Sequence, residues 1–216
     1  MTRILFITRV LKPALSVAAP LPFAWAVFSL AAGHVEGDQV KYLQHVTGLT
    51  VLVTLFLTLA ITPVRRLTGW NEIIRIRRQV GLTAFWYALI HFLTYVVFDQ
   101  SLSLYEISRD VMKHPWVWVG FASFLMLIPL AVTSTDGWVR RLGGKGWRRL
   151  HRLVYLSALG GVLHFLWLVK RDVRTPTYFG VVLGALFVSR LWVWWSVRRS
   201  RARRPATFQE SQGRVA

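Results

Sequence analysis

Residues 80–98 read VGLTAFWYALIHFLTYVVF, a run of 19 residues that contains one histidine, His91, and no Lys, Arg, Asp or Glu. A helix needs about 20 mostly apolar residues to cross the roughly 30 Å hydrocarbon core of a bilayer, so this run predicts a membrane-spanning helix. Five similar runs occupy residues 13–32, 43–61, 115–134, 150–169 and 177–195. The sequence therefore predicts an all-α integral membrane protein, a six-transmembrane-helix bundle over residues 1–195.

The composition agrees with a membrane protein and limits its chemistry. Of the 216 residues, 54% are hydrophobic and none is cysteine. The missing cysteines exclude disulfides, iron–sulfur clusters on thiolates, zinc–thiolate sites and covalently attached haem. Any metal or haem in this chain would therefore rest on His, Met, Tyr or carboxylate side chains.

The net charge of +18 reflects topology and does not indicate nucleic-acid binding, because the basic residues cluster between the apolar runs. The N-terminal stretch, the loops 62–79 and 135–149 and the segment after Trp195 hold 19 Lys and Arg, whereas the alternate loops hold 6. The positive-inside rule then predicts that both termini are cytoplasmic. Residues 196–216 are predicted to form a basic, disordered cytoplasmic tail that lies against membrane lipid.

Two histidines lie at matched depth within predicted spans. At about 1.5 Å per residue, His91 in the third span and His164 in the fifth both lie about 8–10 Å below the outer boundary. Ionisable residues inside a span are functional candidates, and two histidines on different helices are what a six-coordinate haem iron requires. The alternative is that each imidazole hydrogen-bonds a neighbouring carbonyl.

Small residues accompany both histidines, and they leave two interpretations open. They lie on the histidine side of their helices, where they would leave room for a flat ring or allow close helix packing. They are Ala84, Ala88, Ser157, Gly160 and Gly161.

The first and sixth spans carry no histidine and are predicted to be peripheral, which leaves Arg190 in the sixth unexplained.

A second candidate site lies at the cytoplasmic side. His151 is about 20 Å along the helix axis from His164, and Arg77 and Arg78 stand at the matching depth of the third span. Guanidinium groups clamp phosphate and carboxylate, so this site suits flavin mononucleotide (FMN) or haem propionates, and His151 marks a possible second haem or inner redox site. Alternatively, the arginines only enforce topology.

His45, near the outer end of the second span, is a candidate for haem support, a partner interface or a simple hydrogen bond.

An ordered set of motifs over nearly the whole chain resembles the MsrQ family, the haem-binding membrane subunits of protein-methionine-sulfoxide reductase, within the ferric-reductase-like transmembrane group. The motifs are QHVTG at 44–48, ITP at 61–63, IRRQVGL at 76–82, LIH at 89–91, KHPW at 113–116 with Gly120, LAVTS at 130–134, RLG at 141–143, GWRRLHRLVY at 146–155 and HFLW at 164–167.

This resemblance implies a function that the residues alone do not specify. It implies haem b on His91 and His164, a role for His151 in haem binding, and FMN as a second cofactor. It implies electron transfer from the quinone pool or a cytoplasmic flavin reductase to a periplasmic molybdopterin-containing methionine-sulfoxide reductase subunit, for repair of oxidised periplasmic proteins. The location would be the bacterial inner membrane, and this chain would hold no catalytic residue. A stand-alone ferric or quinone reductase and a non-redox transporter or scaffold are the alternatives.

Overall fold

The computed structural model of the chain describes residues 2–169 and 172–202, and all regular secondary structure in these ranges is helical. The α-helices are α1 (Arg3–Phe6), α2 (Lys12–Ala18), α3 (Leu21–Ala31), α4 (Gln39–Thr68), α5 (Arg77–Thr94), α6 (Leu104–Lys113), α7 (Pro115–Val132), α8 (Asp136–Leu150), α9 (Leu153–Leu168) and α10 (Arg174–Ala202). Short π-helical stretches lie at Ile7–Leu11 and Tyr95–Asp99, and a 3-10 helix at Asn71–Ile76. The predicted all-α class is confirmed.

Five helical stretches in the described residues are long and apolar enough to cross a membrane. They are Arg3–Ala31, Gln39–Thr68, Asn71–Asp99, Pro115–Val132 and Arg174–Val193. The remaining predicted span, 150–169, forms α9, which has only 16 residues and is shorter than the usual spanning length. Six crossings therefore remain a prediction.

The predicted tail begins within a helix. Helix α10 continues to Ala202, so the first part of that segment is helical. The rest of the tail, 203–216, lies outside the described residues, and so does the prediction that it is disordered.

Large apolar side chains cover much of the outer surface of the bundle. Trp25, Trp86 and Val188 are 64%, 58% and 64% exposed. A helix bundle surrounded by lipid tails requires exposed apolar side chains of this kind.

The bundle is organised as two closely packed helix pairs. Helix α4 packs along α5, and α7 packs along α9. The main core lies between these pairs, where α4 contributes Leu59, α5 contributes Ala84, α7 contributes Leu127 and α9 contributes Ala158. Leu183 of α10 is buried in the same core, while most of the remaining side chains of this helix are exposed or only partly buried, so the sixth span lies at the periphery and anchors one side chain in the core.

Small residues on α9 serve close helix packing. Gly160 lies so close to α7 that a Cβ there would overlap the Ser123 hydroxyl, and the Ser157 hydroxyl donates to the Ser123 carbonyl at 3.0 Å. A Cβ at Gly161 would lie 3.1 Å from Leu52. Of the two interpretations of these small residues, close packing is therefore the one that this part of the structure supports.

The first helical stretch is tied to α5 by polar side chains. The Tyr87 hydroxyl donates to the Ala19 carbonyl at 2.7 Å and accepts from the Phe23 amide at 3.2 Å. Both backbone groups lie at the break between α2 and α3, where intrahelical partners are missing. Gln79 adds a hydrogen bond to the Lys12 carbonyl at 3.0 Å.

Candidate functional site

The structure brings His91 and His164 together. His91 lies on α5 and His164 on α9, one histidine in each helix pair, and their ring centres are 6.3 Å apart with the ring planes at 85°. Both side chains lie in the interior between the pairs, and each ring is partly shielded. The depth argument from sequence therefore placed these two residues correctly relative to each other.

Each imidazole is held by a carbonyl of the partner helix in its own pair. The His91 Nδ1 donates to the Gln44 carbonyl of α4 at 3.0 Å, and the His164 Nδ1 donates to the Trp116 carbonyl of α7 at 2.7 Å. Since a carbonyl oxygen only accepts, the proton is on Nδ1 and the lone pair of the neutral ring is on Nε2. In the described part of the chain, neither Nε2 makes a hydrogen bond.

These contacts reconcile the two interpretations of the histidines. The carbonyl contact uses only one ring nitrogen and orients the other, which is the arrangement that metal-ligating histidines usually have. A hydrogen-bonded imidazole and a metal-binding imidazole are therefore compatible in this structure.

Two glycines allow the neighbouring backbones to approach the rings. A Cβ at Gly120 of α7 would lie 2.7 Å from the His164 Nδ1, and a Cβ at Gly48 of α4 would lie 3.2 Å from the His91 Cε1. Gly120 is four residues after Trp116, so the glycine and the anchoring carbonyl lie on one face of α7. Any side chain at position 120 would push the imidazole away from its carbonyl.

The donor set fits a haem iron better than a metal held by protein ligands alone. Two imidazoles on opposite sides of one metal, with bonds of about 2.0–2.1 Å, have ring centres about 6 Å apart, close to the observed 6.3 Å. Among the described residues, no group of three or more His, Cys, Asp or Glu could hold a metal ion. A metal bound here would have to bring its other ligands with it, as the iron of haem does.

His151 repeats the same local pattern at the other end of α9. Its Nδ1 donates to the Trp147 carbonyl at 3.1 Å, and its ring stacks on the Trp147 ring with centres 3.8 Å apart. The Trp147 indole is itself fixed by a hydrogen bond to the Thr133 carbonyl at 2.9 Å. The His151 Nε2 is buried and has no hydrogen-bond partner among the described residues.

The two arginines predicted beside His151 separate in the structure. Arg77 lies close enough to His151 to interact with it electrostatically. Arg78 instead turns towards Asp136 at the start of α8, with 3.4 Å between Nη1 and Oδ1, and its side chain is half exposed. Of the two, Arg77 is the one that acts electrostatically on His151.

Arg190 of α10 lies near His151 and Arg77, and its hydrogen bonds there account for a charged residue in an apolar run. Its Nη2 donates to the Leu59 carbonyl of α4 at 2.8 Å, and its Nη1 donates to the Tyr155 hydroxyl of α9. The guanidinium carbon lies 4.8 Å from the centre of the Tyr155 ring. Arg77 is near enough to act electrostatically on Arg190 as well, so these residues form one cluster with His151.

The Leu59 carbonyl is available to Arg190 because of a proline one turn later. In an α-helix this carbonyl would accept from the amide of residue 63, but Pro63 has no N–H. An unpaired carbonyl inside a membrane bundle is costly, so helices with an internal proline rely on neighbouring groups to satisfy it. The Arg190 guanidinium replaces the missing backbone donor.

The other histidines lie outside these two clusters. His45 is exposed and its ring lies 6.1 Å from the Phe165 ring. His34 is exposed next to Phe28. The His114 Nδ1 lies 2.7 Å from an Asp110 carboxylate oxygen, where α6 meets α7.

Several groups at these sites could not be recognised from the sequence. The Gln44 and Trp116 carbonyls carry no side-chain signal, and the pairing of Arg190 with Leu59 joins positions 131 residues apart. The lack of an N–H on Pro63 was a usable signal, since it marks a carbonyl that needs another donor, but it did not identify that donor.

Comparison with known proteins gives a consistent family. The model of the family described as "Ferric reductase like transmembrane component" matches residues 44–162. Three curated relatives bear the name "Protein-methionine-sulfoxide reductase heme-binding subunit MsrQ". The one from Herminiimonas arsenicoxydans is 44% identical over 187 residues, 85% of this chain and 86% of the relative. The one from Xanthomonas oryzae pv. oryzae (strain MAFF 311018) is 43% identical over 206 residues, 93% and 94% of the two chains. The one from Xanthomonas euvesicatoria pv. vesicatoria (strain 85-10) is 45% identical over 187 residues, 85% of each chain.

The pairing of Arg190 with the carbonyl freed by Pro63 can be tested by a double-mutant cycle. We expect Arg190→Met to lower the free energy of unfolding by about 1–3 kcal/mol, because it leaves the buried Leu59 carbonyl unpaired. In a Pro63→Ala background, the amide of residue 63 can bond that carbonyl, so the same substitution should cost less. Chemical unfolding in detergent micelles, followed by circular dichroism, measures the difference.

The exposed Arg174 at the start of α10 gives the control, and Arg174→Met should cost little in either background. Costs of Arg190→Met that are equal in the wild-type and Pro63→Ala backgrounds would contradict the pairing.

Proposed function

Because the chain belongs to the MsrQ family of the ferric-reductase-like transmembrane group, we propose that it is the haem-binding, electron-transferring membrane subunit of a protein-methionine-sulfoxide reductase system. The observation that carries the proposal is the His91–His164 pair. The two rings are 6.3 Å apart in the interior of the bundle, each with Nδ1 on a backbone carbonyl. Both Nε2 lone pairs are thereby left for one metal.

The chain's own contribution is to hold and orient these donors. The Gln44 and Trp116 carbonyls fix the tautomer and direction of the two imidazoles, and Gly48 and Gly120 give the rings space. His91 and His164 would hold haem b, which supplies one-electron redox chemistry when bound. Both rings are partly shielded inside the bundle, and burial is one determinant of reduction potential.

We propose that electrons come from the quinone pool or a cytoplasmic flavin reductase. They would leave to a periplasmic molybdopterin-containing methionine-sulfoxide reductase subunit, which repairs oxidised periplasmic proteins. The proposal includes six crossings of the bacterial inner membrane with both termini in the cytoplasm, as the Lys and Arg distribution favours. The sulfoxide chemistry would belong to the partner subunit.

An inner cofactor completes the proposal. The cluster around His151 and Arg77 suits an anionic cofactor such as FMN, because guanidinium groups recognise phosphate. His151, with an unpartnered Nε2, also remains a candidate ligand for a second haem. Arg78 would contribute there only after leaving Asp136.

Loss of either ligand should remove the haem signal. We expect His91→Ala and His164→Ala each to lose most of the Soret absorbance per mole of purified protein, because one of the two imidazoles that would hold the haem iron is gone. The exposed His34 gives the control, and His34→Ala should keep the spectrum. A purified wild-type protein that stays colourless after haem addition would rule out the haem proposal.

A more specific test concerns the space beside His164. Gly120→Ala would put a Cβ within 2.7 Å of the ring and displace the imidazole from the Trp116 carbonyl. Loss of such a supporting contact usually costs about 10–100-fold in metal affinity, and we expect a similar loss of haem affinity in a haem titration. Gly81→Ala is the matched control, because its Cβ would make only an ordinary contact at 3.7 Å with Thr58. Equal haem affinity in the two variants would argue against His164 as a ligand.

Electron delivery distinguishes a dedicated subunit from a stand-alone reductase. We expect the purified protein, reduced by flavin and a flavin reductase, to be reoxidised much faster by the periplasmic sulfoxide reductase subunit than by ferric chelates or quinone. Stopped-flow absorbance at the Soret band gives the rates. Reoxidation by ferric chelates at the same rate as by the partner would support the stand-alone reductase instead.

A further inference from the structure

The two imidazoles of the central pair are held by matching segments of their partner helices, with one difference between the segments. Each segment has an anchoring carbonyl and, four residues later, the glycine beside the ring. They are Gln44 with Gly48 on α4, and Trp116 with Gly120 on α7. The residue just before the glycine is Thr47 on α4 and Val119 on α7. Threonine and valine have nearly the same shape, but only threonine carries a hydroxyl.

The Thr47 hydroxyl lies against the His91 ring. Its Oγ1 is 3.2 Å from the His91 Nδ1, and Thr47 is fully buried. The hydroxyl donates its one hydrogen within its own helix, to the Leu43 carbonyl at 2.7 Å. Because the His91 Nδ1 carries a proton for the Gln44 carbonyl, the Thr47 oxygen can only accept from it. The Nδ1–H of His91 therefore has two acceptors, at 3.0 Å and 3.2 Å.

Packing alone does not require a hydroxyl at this position. Val119 fills the equivalent place in the other pair and packs towards α9, with its Cγ1 3.6 Å from where a Cβ at Gly160 would lie. Within the part of the chain that the structure describes, the acceptor found for the His164 Nδ1 is the Trp116 carbonyl. The Thr47 hydroxyl thus adds a contact to one imidazole that the valine does not add to the other.

We propose that Thr47 is a positioning residue for His91, and that its hydroxyl strengthens the bond that the His91 Nε2 would make to a haem iron. A hydrogen-bond acceptor on the far nitrogen of a ligating imidazole fixes the orientation of the ring and increases its electron donation. Stronger donation favours the ferric state, so the hydroxyl lowers the reduction potential. The inference rests on the proposed function in that it requires haem on His91.

A redox titration of a variant without the hydroxyl tests this role. Thr47→Val keeps the size of the side chain and removes the second acceptor. We expect the ferric state to lose about threefold to tenfold in relative stability, which is the usual effect of one neutral hydrogen bond. For a one-electron couple this raises the midpoint potential by about 30–60 mV. The titration follows the haem absorbance of the purified protein in nanodiscs at saturating haem.

Three further variants separate the hydroxyl from the packing of α4. Thr47→Ser keeps the hydroxyl and should keep the wild-type potential, whereas Thr47→Ala lacks it and should shift upwards as Thr47→Val does. Thr58→Val is the matched control and should leave the potential unchanged. Thr58 is also buried, its hydroxyl bonds the Thr54 carbonyl at 2.8 Å, and it lies about three turns farther along α4. Wild-type potentials in Thr47→Val and Thr47→Ala would overturn the proposal, and so would equal shifts in Thr47→Ser and Thr47→Ala.

A measurement without haem distinguishes failure of this inference from failure of the proposed function. In haem-free protein with ¹⁵N-labelled histidine, NMR should show His91 protonated on Nδ1. The resonance of that proton should move upfield in Thr47→Val, because one acceptor is gone. An unmoved resonance would overturn the inference even if the protein binds haem. A wild-type protein that binds no haem but shows the shift would refute the proposed function while supporting the contact between Thr47 and His91.

Discussion

The hydrogen bond from each histidine Nδ1 to a carbonyl of a neighbouring helix organises the interior of this bundle. His91 of α5 bonds the Gln44 carbonyl of α4, and His164 of α9 bonds the Trp116 carbonyl of α7. These are the same two helix pairs that pack most closely. Each pair therefore contributes one oriented ring, and the rings meet where the pairs face each other. The close approach requires glycine on the anchoring helix, so the packing and the site depend on the same residues.

The need to satisfy backbone groups in an apolar interior also accounts for the other end of the bundle. Pro63 leaves the Leu59 carbonyl without its intrahelical donor, and Arg190 supplies one from α10. The same guanidinium holds Tyr155 on α9, so three helices are joined at one point. A charged residue inside an apolar run is thereby tolerated because it repairs a defect in a neighbouring helix, and its remaining donors are left for another group.

Sequence predicted the features that depend on local pattern and failed on those that depend on contacts between distant residues. The apolar runs gave the helices, and residue counting gave the matched depth of His91 and His164, because helical rise is constant. The sequence determines less well which neighbour a residue faces around the helix axis, so only the structure shows that Gly160 and Gly161 allow close helix packing. The role of Arg190 could not be predicted, since its partner Leu59 contributes only a backbone carbonyl and lies on a different helix.

The two ends of α9 offer opposite chemistry, and this difference gives the bundle its polarity. At His164 the available atoms are nitrogen lone pairs in an apolar interior, which bind a metal. Near His151 the prominent group is the Arg190 guanidinium, which donates N–H groups to the Leu59 carbonyl and the Tyr155 hydroxyl. With His151 and His164 about 20 Å apart along the helix, one molecule the size of a flavin cannot occupy both ends. The fixed length of α9 therefore keeps these two kinds of donor apart, and that separation requires no moving part.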